Sequence, residues 1–190
     1  MSLPLLEWRR RVADLYAEVR ATTPEAGHAL WVAGRAELFA TSTESPLSPG
    51  SSLDVAAYDP AWRAVVALEP ADPDHRTLEG GVAMDRIGVL RTPWGSLDAW
   101  WLDEYSGGLF VPVKDATAGS TTYGAGRYLL DTAKGADLGS GRDGIVVDLN
   151  FLYHPSCAYD PRWSCPLAPA GNVLPAAVPV GERLPQAARG

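Results

Sequence analysis

The sequence predicts an α+β fold, with two N-terminal helices, a mainly antiparallel sheet that is barrel-like or a sandwich, and a proline-rich C-terminal wrap. Apolar residues recur at helical spacing up to about residue 41, and short alternating runs separated by turn clusters follow residue 60. Seven of the 16 prolines come after residue 153, which argues against a long helix or a central strand there. We expect one compact domain, with a helical segment over residues 1–45 packed on the sheet and a β-rich region over residues 46–190.

The first helix is expected over residues 4–21, because apolar side chains form one stripe along it. The stripe contains Leu5, Trp8, Val12, Leu15, Tyr16 and Val19. Thr23 and Pro24 suit the N-cap and the first position of a second helix, and Glu25 suits the positive end of its dipole. The second helix extends to about Thr41, with Gly34 as a close-packing point.

A loop rich in Ser, Pro and Gly is expected over residues 42–60, before the β-rich region. The candidate strands are residues 62–68, 82–91, 96–102, 109–113, 126–131 and 144–153. Short strands so close together form an antiparallel meander that closes as a barrel or folds over as a sandwich. The two helices could then cover an open face or an edge of the sheet.

The charge of the chain excludes some classes of partner. A formal net charge of -7 and scattered basic residues do not suit a nucleic-acid footprint. No run of 18 apolar residues exists, so we expect no membrane association, and the N-terminus lacks the pattern of a signal peptide. Two cysteines do not make a disulfide framework. These features favour a cytoplasmic protein. They do not decide whether the protein forms a homodimer.

The run from Ile145 to Tyr153 is the centre of the predicted site. It alternates as a strand does, so Asp148 and Asn150 share one face, with side chains about 7 Å apart. Arg127 lies on the preceding predicted strand and could offer its guanidinium to Asp148, to Glu182 or to a ligand carboxylate. The alternative is a structural network in which these groups satisfy one another.

Three stretches between residues 110 and 182 carry closely spaced Gly, Tyr, Cys, Pro and Asn residues. The first contains Phe110, Asp115, Thr117, Gly119, Thr122, Tyr123, Gly126, Arg127, Tyr128 and Leu129. The second contains Asp148, Asn150, Tyr153, Pro155, Cys157, Ala158 and Tyr159, and the third contains Cys165, Pro166, Pro169, Asn172 and Leu174, followed by Gly181 and Glu182. This pattern resembles a bacterial and archaeal family known as domain of unknown function 1684. The resemblance spans most of residues 105–182 and implies no activity.

The two cysteines allow three interpretations. Cys157 and Cys165 are small buried hydrophobes that pin the C-terminal segment, or Cys157 is a nucleophile or redox partner with His154 three residues away. A zinc site with His154 and with Asp148 or Asp160 is incomplete, since structural zinc prefers four nitrogen or sulfur ligands. We therefore assign no metal and no cofactor.

The sequence leaves three hypotheses about function. In the first, the protein binds a small, anionic organic ligand in a polar pocket lined by Arg127, Tyr123, Tyr128, Asp148, Asn150, Asn172 and Glu182. In the second, the same pocket is catalytic, with Cys157 and His154 as nucleophile and base, or with Asp148 or Glu182 as general acid or base. In the third, the protein is a structural or partner-binding module without an active site.

Overall fold

The two N-terminal helices lie where the sequence predicts them. The computed structural model describes residues 3–78, 81–103, 105 and 107–185. Helix α1 spans Leu3–Arg20 and α2 spans Pro24–Thr41, and Thr23 has extended backbone geometry at the N-cap, although its side chain makes no capping hydrogen bond. A Cβ atom added to Gly34 would lie 2.7 Å from Leu15 Cδ1. Glycine therefore allows α2 to approach α1 closely, as predicted.

The strands are short and are numbered in chain order. They are β1 Asp54–Val55, β2 Arg63–Val66, β3 Leu68–Glu69, β4 His75–Thr77, β5 Ala83–Thr92, β6 Gly95–Leu102, β7 Gly108–Val113, β8 Arg127–Asp131, β9 Ser140–Gly141, β10 Gly144–Asp148 and β11 Glu182–Arg183. The largest sheet has the order β3-β5-β6-β7-β8, with β4 also paired to β5. A second sheet has the order β2-β10-β9, and β1 pairs with β11.

The three sheets follow one another around a common core. Strand β2 leads through Ala67 into β3, and Tyr128 of β8 forms an isolated antiparallel bridge with Tyr153, which follows β10 along the chain. All pairings between the numbered strands are antiparallel. Within the described residues the strands do not join into a closed barrel. The predicted α+β class, two helices with a mainly antiparallel, barrel-like arrangement, is confirmed.

The last predicted strand is too long by five residues. Strand β10 ends at Asp148, and residues Leu149–Phe151 form a 3-10 turn. Asp148 caps this turn, because its Oδ1 accepts hydrogen bonds from the backbone N–H of Asn150 at 3.1 Å and from Asn150 Nδ2 at 2.8 Å. An aspartate that binds the backbone two residues on competes with the sheet ladder, and here that local bond prevails over the alternating pattern. Asp148 and Asn150 therefore bind each other and do not share an open strand face.

The core brings the helices and the C-terminal segment, residues 154–185, together with the sheets. Tyr16, Val19 and Trp31 of the helices belong to the main buried cluster, together with apolar residues of the strands and with Val178 and Val180. The C-terminal segment also adds β11 to β1 and pairs Val173 with Lys114. The wrap is therefore packed against the sheets along much of its length.

Candidate functional site

Arg127 fixes the C-terminal segment to strand β8. Its side chain is 1 % exposed and donates to the backbone carbonyl oxygens of Val180 at 2.6 Å, Val178 at 3.0 Å and Glu182 at 3.2 Å. Its Nη2 also lies 3.3 Å from Asp115 Oδ1. The carboxylate opposite Arg127 is thus Asp115, and the contact with Glu182 is to its backbone. These four partners occupy both Nη atoms of Arg127, and its buried Nε has no hydrogen-bond partner among the described residues.

The amides of Asn150 and Asn172 are also used within the protein. Asn150 donates to the carbonyl of Asp59 at 2.9 Å and accepts from its N–H at 2.8 Å. Asn172 accepts from Trp100 Nε1 at 2.8 Å and donates to the carbonyl of Asp98 at 2.8 Å. Both amides are fully buried. Each therefore joins distant segments of the fold, which is the structural alternative that the sequence left open.

A cavity of about 280 Å³ lies between the two helices, strand β8 and the start of the C-terminal segment. It is lined by Leu5, Trp8, Arg9, Val12, Tyr16, Arg35, Phe39, Glu44, Tyr128, Asp131, Lys134, Ala136, Tyr153, His154, Pro155, Ser156, Trp163, Ser164 and Cys165. Of the residues predicted from sequence, Tyr128 and His154 line it. Binding sites for small molecules are typically apolar concavities with a few placed polar groups, and this cavity has that composition.

Arg35 is the buried cation of this cavity. Its Nη2 lies 3.1 Å from Oε2 and 3.2 Å from Oε1 of Glu182, whose side chain is fully buried. The Cζ atom of Arg35 lies 4.7 Å from the ring centre of Phe39 and 4.9 Å from that of Tyr153. Glu182 also accepts the backbone N–H of His154 at 2.6 Å. Arg35 is thus oriented by one carboxylate and by aromatic faces.

Three buried polar atoms on the lining side chains have no hydrogen-bond partner among the described residues. They are Arg35 Nε, Trp163 Nε1 and Asp131 Oδ1. The first two are donors and the third is an acceptor. Buried polar atoms are almost always paired in folded proteins. The same condition holds for Arg127 Nε and Arg183 Nε, and all of these atoms have almost no surface that a water-sized molecule can reach.

His154 is a neutral, buried imidazole. Its Nε2 accepts the backbone N–H of Tyr123 at 3.2 Å, so the proton lies on Nδ1, which donates to the hydroxyl of Tyr159 at 3.3 Å. Burial lowers the pKa of His154 to about 4, with nearby arginines adding to the shift and Glu182 opposing it. Both ring nitrogens are therefore occupied, and the imidazole is too weak a base to activate a thiol at neutral pH.

Acidification is expected to destabilise the fold through His154. The folded-state pKa lies below the value of about 6.5 expected in the unfolded chain, so the unfolded state takes the proton first. Above pH 6.5 the free energy of unfolding is unaffected by His154. It decreases as the pH falls, and the decrease levels off near pH 4 at about 3 kcal/mol. Urea unfolding from pH 7 to pH 4 measures it. The variant His154→Gln should lose about that much less stability over the range, and identical pH profiles would contradict this account.

Both cysteines are free thiols, and Cys165 lines the cavity. Burial, followed by the contact with Cys165, raises the pKa of Cys157 to about 11. A protonated thiol is a poor nucleophile, so this geometry does not favour covalent catalysis by Cys157 and His154. The described residues also include no group of three or more His, Cys, Asp or Glu side chains placed to hold a metal ion.

Alkylation of Cys157 is expected to be slow. At neutral pH, a thiol with a pKa near 11 should react with iodoacetamide about a hundredfold more slowly than an ordinary cysteine of pKa near 8.5. The variant Cys165→Ser isolates the reaction, which mass spectrometry can follow, and the same variant unfolded in guanidinium is the control. His154→Gln should not slow the reaction. A rate equal to that of the unfolded chain, or one that requires His154, would support a nucleophile.

The sequence reasoning missed Arg35, Asp131 and Trp163 as residues of a cavity. A signal for Arg35 was present, because it stands between Trp31 and Phe39 at intervals of four residues, which places it on the buried stripe of α2. A charged residue on such a stripe needs a partner. No comparable pattern marks Trp163, whose neighbours are prolines and polar residues.

Of the described helices, none is long and apolar enough to cross a membrane.

The chain is similar to one protein family and to a solved structure. The family described as "Protein of unknown function (DUF1684)" matches residues 51–183, a longer range than the sequence motifs indicated. No curated protein matches the chain. The solution NMR structure of an uncharacterized protein from Haloarcula marismortui is similar, with a TM-score of 0.55 and 30 % sequence identity. The similarity covers 82 % of this chain and 91 % of that one.

Proposed function

Because this chain belongs to the DUF1684 family, whose function is unknown, we propose its function from the geometry of the cavity: it binds a small organic acid. The observation that supports the proposal is a cavity with aromatic walls that has the buried guanidinium of Arg35 in its lining. The role that the sequence suggested for Arg127, to hold the negative charge of the ligand, falls to Arg35 in this proposal.

Arg35 has donors to spare. Its Nη2 donates to Glu182, and a guanidinium carries five N–H groups in all. Tyr153 adds a further donor beside it. Burial raises the pKa of Tyr153 well above its ordinary value, so its hydroxyl stays protonated. A ligand carboxylate can therefore accept from Arg35 and Tyr153 together.

Charged side chains of both signs surround the cavity. Arg9, Arg35 and Lys134 line it together with the carboxylates of Glu44 and Asp131, and the buried carboxylate of Glu182 pairs with Arg35. Arg9 and Lys134 are exposed, so they can attract an anion from solvent without being buried themselves. The specific contact in the proposal is therefore with Arg35. The exposed side chains of Arg9 and Lys134 contribute to the rate of association.

The walls accommodate an apolar body. Trp8, Tyr16, Phe39, Tyr128, Tyr153 and Trp163 are the aromatic side chains of the lining. Aromatic walls bind flat or branched apolar groups by burying them and by ring-to-ring contact. With about 280 Å³ available, the ligand is small, of the size of a single ring with a short acidic side chain.

Ligand-induced stabilisation tests the proposal. A panel of carboxylic acids with phenyl, indole and branched aliphatic bodies is added to the protein, and the melting temperature is measured. An acid at a hundred times its dissociation constant should stabilise by about 2.7 kcal/mol, which is a rise of about 5–10 °C for a chain of this size. The absence of any shift across all three bodies would contradict the proposal.

A cavity-filling variant provides the control. Val12→Phe places a larger side chain on the α1 wall of the cavity and should abolish the shift. Ala17→Phe adds the same ring to an exposed position of α1 outside the cavity and should retain the shift. Equal responses from both variants would show that the acids bind elsewhere.

A further inference from the structure

We propose that two copies of this chain form a symmetric dimer, in which α2 of one copy packs antiparallel on α2 of the other. The inference goes beyond the proposed function, because none of the residues that carry it lines the cavity beside Arg35. It starts from the face of the helix pair that is exposed to solvent, and from the charges beside that face.

The exposed face of α2 is apolar. Between residues 26 and 40, the only charged residue that is exposed is Glu37, and Leu30 is 42 % exposed. The remaining exposed positions over these roughly four turns are all alanine, namely Ala26, Ala29, Ala33, Ala36 and Ala40. A surface helix normally turns charged and polar residues to solvent. This apolar face therefore indicates a contact that one chain alone does not make.

The alanines are spaced as in a seam between two helices. They alternate at intervals of three and four residues, the pattern that keeps one side of a helix against a partner helix. Because alanine is small, two such faces allow the helix axes to approach to about 8 Å, the short end of the usual range. A second copy of α2 presents the same small side chains, so neither helix holds the other away.

Charged residues on α1 give the direction of the pairing. Arg11 and Glu18 line a groove of about 200 Å³ between α1 and α2, together with Leu15, Leu30 and Leu38. The two charged residues are seven positions apart, which places opposite charges on one side of α1. In an antiparallel dimer, Arg11 of each copy meets Glu18 of the other, whereas a parallel dimer would oppose like charges.

A single two-fold axis satisfies both helices. On α1 the axis passes beside Leu15, midway between the two charged residues. On α2 it passes beside Gly34, midway between Ala33 and Ala36. A Cβ atom added to Gly34 would lie 2.7 Å from Leu15 Cδ1, so the two midpoints are at the same level of the helix pair. Each copy then presents the same surface to the other, as a closed dimer requires.

The charges do not suit a lipid surface as the occupant of this face. Anionic lipid attracts helices whose polar edge carries Lys and Arg, whereas the exposed charged residues of α2 are Glu25 and Glu37. Beside the groove, α1 adds charges of both signs. A second copy carries the same charges in the reverse order and is therefore the complementary partner.

Sedimentation equilibrium tests the inference. The protein should be dimeric at about 50 µM and should dissociate on dilution. Ala33→Glu should weaken the dimer at least about tenfold, because it places a carboxylate at the centre of the contact, while glutamate remains a good helix former. Ala17→Glu is the matched control, since Ala17 is exposed on α1 outside the groove, and it should leave dimerisation unchanged.

A charge exchange identifies the pairing. Glu18→Arg should weaken the dimer about threefold, because the new arginine would face Arg11 of the other copy. Adding Arg11→Glu to the same chain restores opposite charges, so the double variant should recover most of the lost affinity. Such a recovery supports the antiparallel dimer. A protein that stays monomeric at every concentration, a dimer that Ala33→Glu leaves intact, or a double variant weaker than Glu18→Arg alone overturns the inference.

Discussion

Replacing Arg35 with methionine should lower the free energy of unfolding by about 3–5 kcal/mol and abolish binding of organic acids. The loss of stability follows from Glu182, whose carboxylate is fully buried and would lose its cation. A buried ion pair that loses one partner leaves an uncompensated charge, which costs more than the pair contributed. Methionine can still fill the space between Phe39 and Tyr153, so the change isolates the charge from the packing.

Urea unfolding with a double variant separates these terms. Glu182→Gln removes the buried charge but keeps an oxygen that can accept the N–H of His154. The double variant Arg35→Met with Glu182→Gln should therefore be more stable than Arg35→Met alone. Arg11→Met is the surface control, because Arg11 and Glu37 form an exposed pair 3.8 Å apart, and it should change stability by less than about 1 kcal/mol. If Arg35→Met is no less stable than Arg11→Met, this account of the buried ion pair is contradicted.

The elements of the fold were predictable because their signals are local. Helical spacing and the Thr23-Pro24 start located both helices, and turn clusters located strands β2, β5, β6, β7 and β8 to within a few residues. Strands β1, β4, β9 and β11 were not predicted, because two or three residues are too few to show a period. The strand that ends at Asp148 shows another limit of periodicity. Its alternating pattern continues to Tyr153, but a side chain that caps its own turn overrides the pattern.

The candidate site was less accessible to sequence reasoning because its contacts are remote along the chain. Arg35 and Glu182 are 147 residues apart, and no spacing rule connects them. The sequence directed attention to residues 115–182, and in the structure many of the polar groups there bind one another. The cavity instead draws on the helices, which lie outside the matched family range of residues 51–183. The roles predicted for Asp148, Asn150 and Arg127 in binding or catalysis stay predictions.

Replacing Arg127 with methionine should also cost about 3–5 kcal/mol, for a different reason. The change leaves Asp115 without its cation and the carbonyls of Val178, Val180 and Glu182 without their shared donor. Urea unfolding measures the loss, and hydrogen exchange at residues 178–183 should increase. Arg91→Met is the control, since Arg91 forms an exposed pair with Glu69, and it should have little effect. Unchanged hydrogen exchange at these residues would contradict this role for Arg127.

The two arginines meet at Glu182. Arg127 binds its backbone carbonyl and Arg35 binds its carboxylate, so the position of one residue depends on both. Residues that share a partner are expected to be non-additive, with a coupling of about 0.5–3 kcal/mol in a double-mutant cycle of Arg35→Met and Arg127→Met. Once Arg127→Met has released the C-terminal segment, Glu182 can reach solvent, and the further loss of Arg35 should then cost less. Strictly additive effects would show that Glu182 stays buried without Arg127. In that case, the C-terminal segment would be held mainly by its apolar contacts, among them Val178 and Val180.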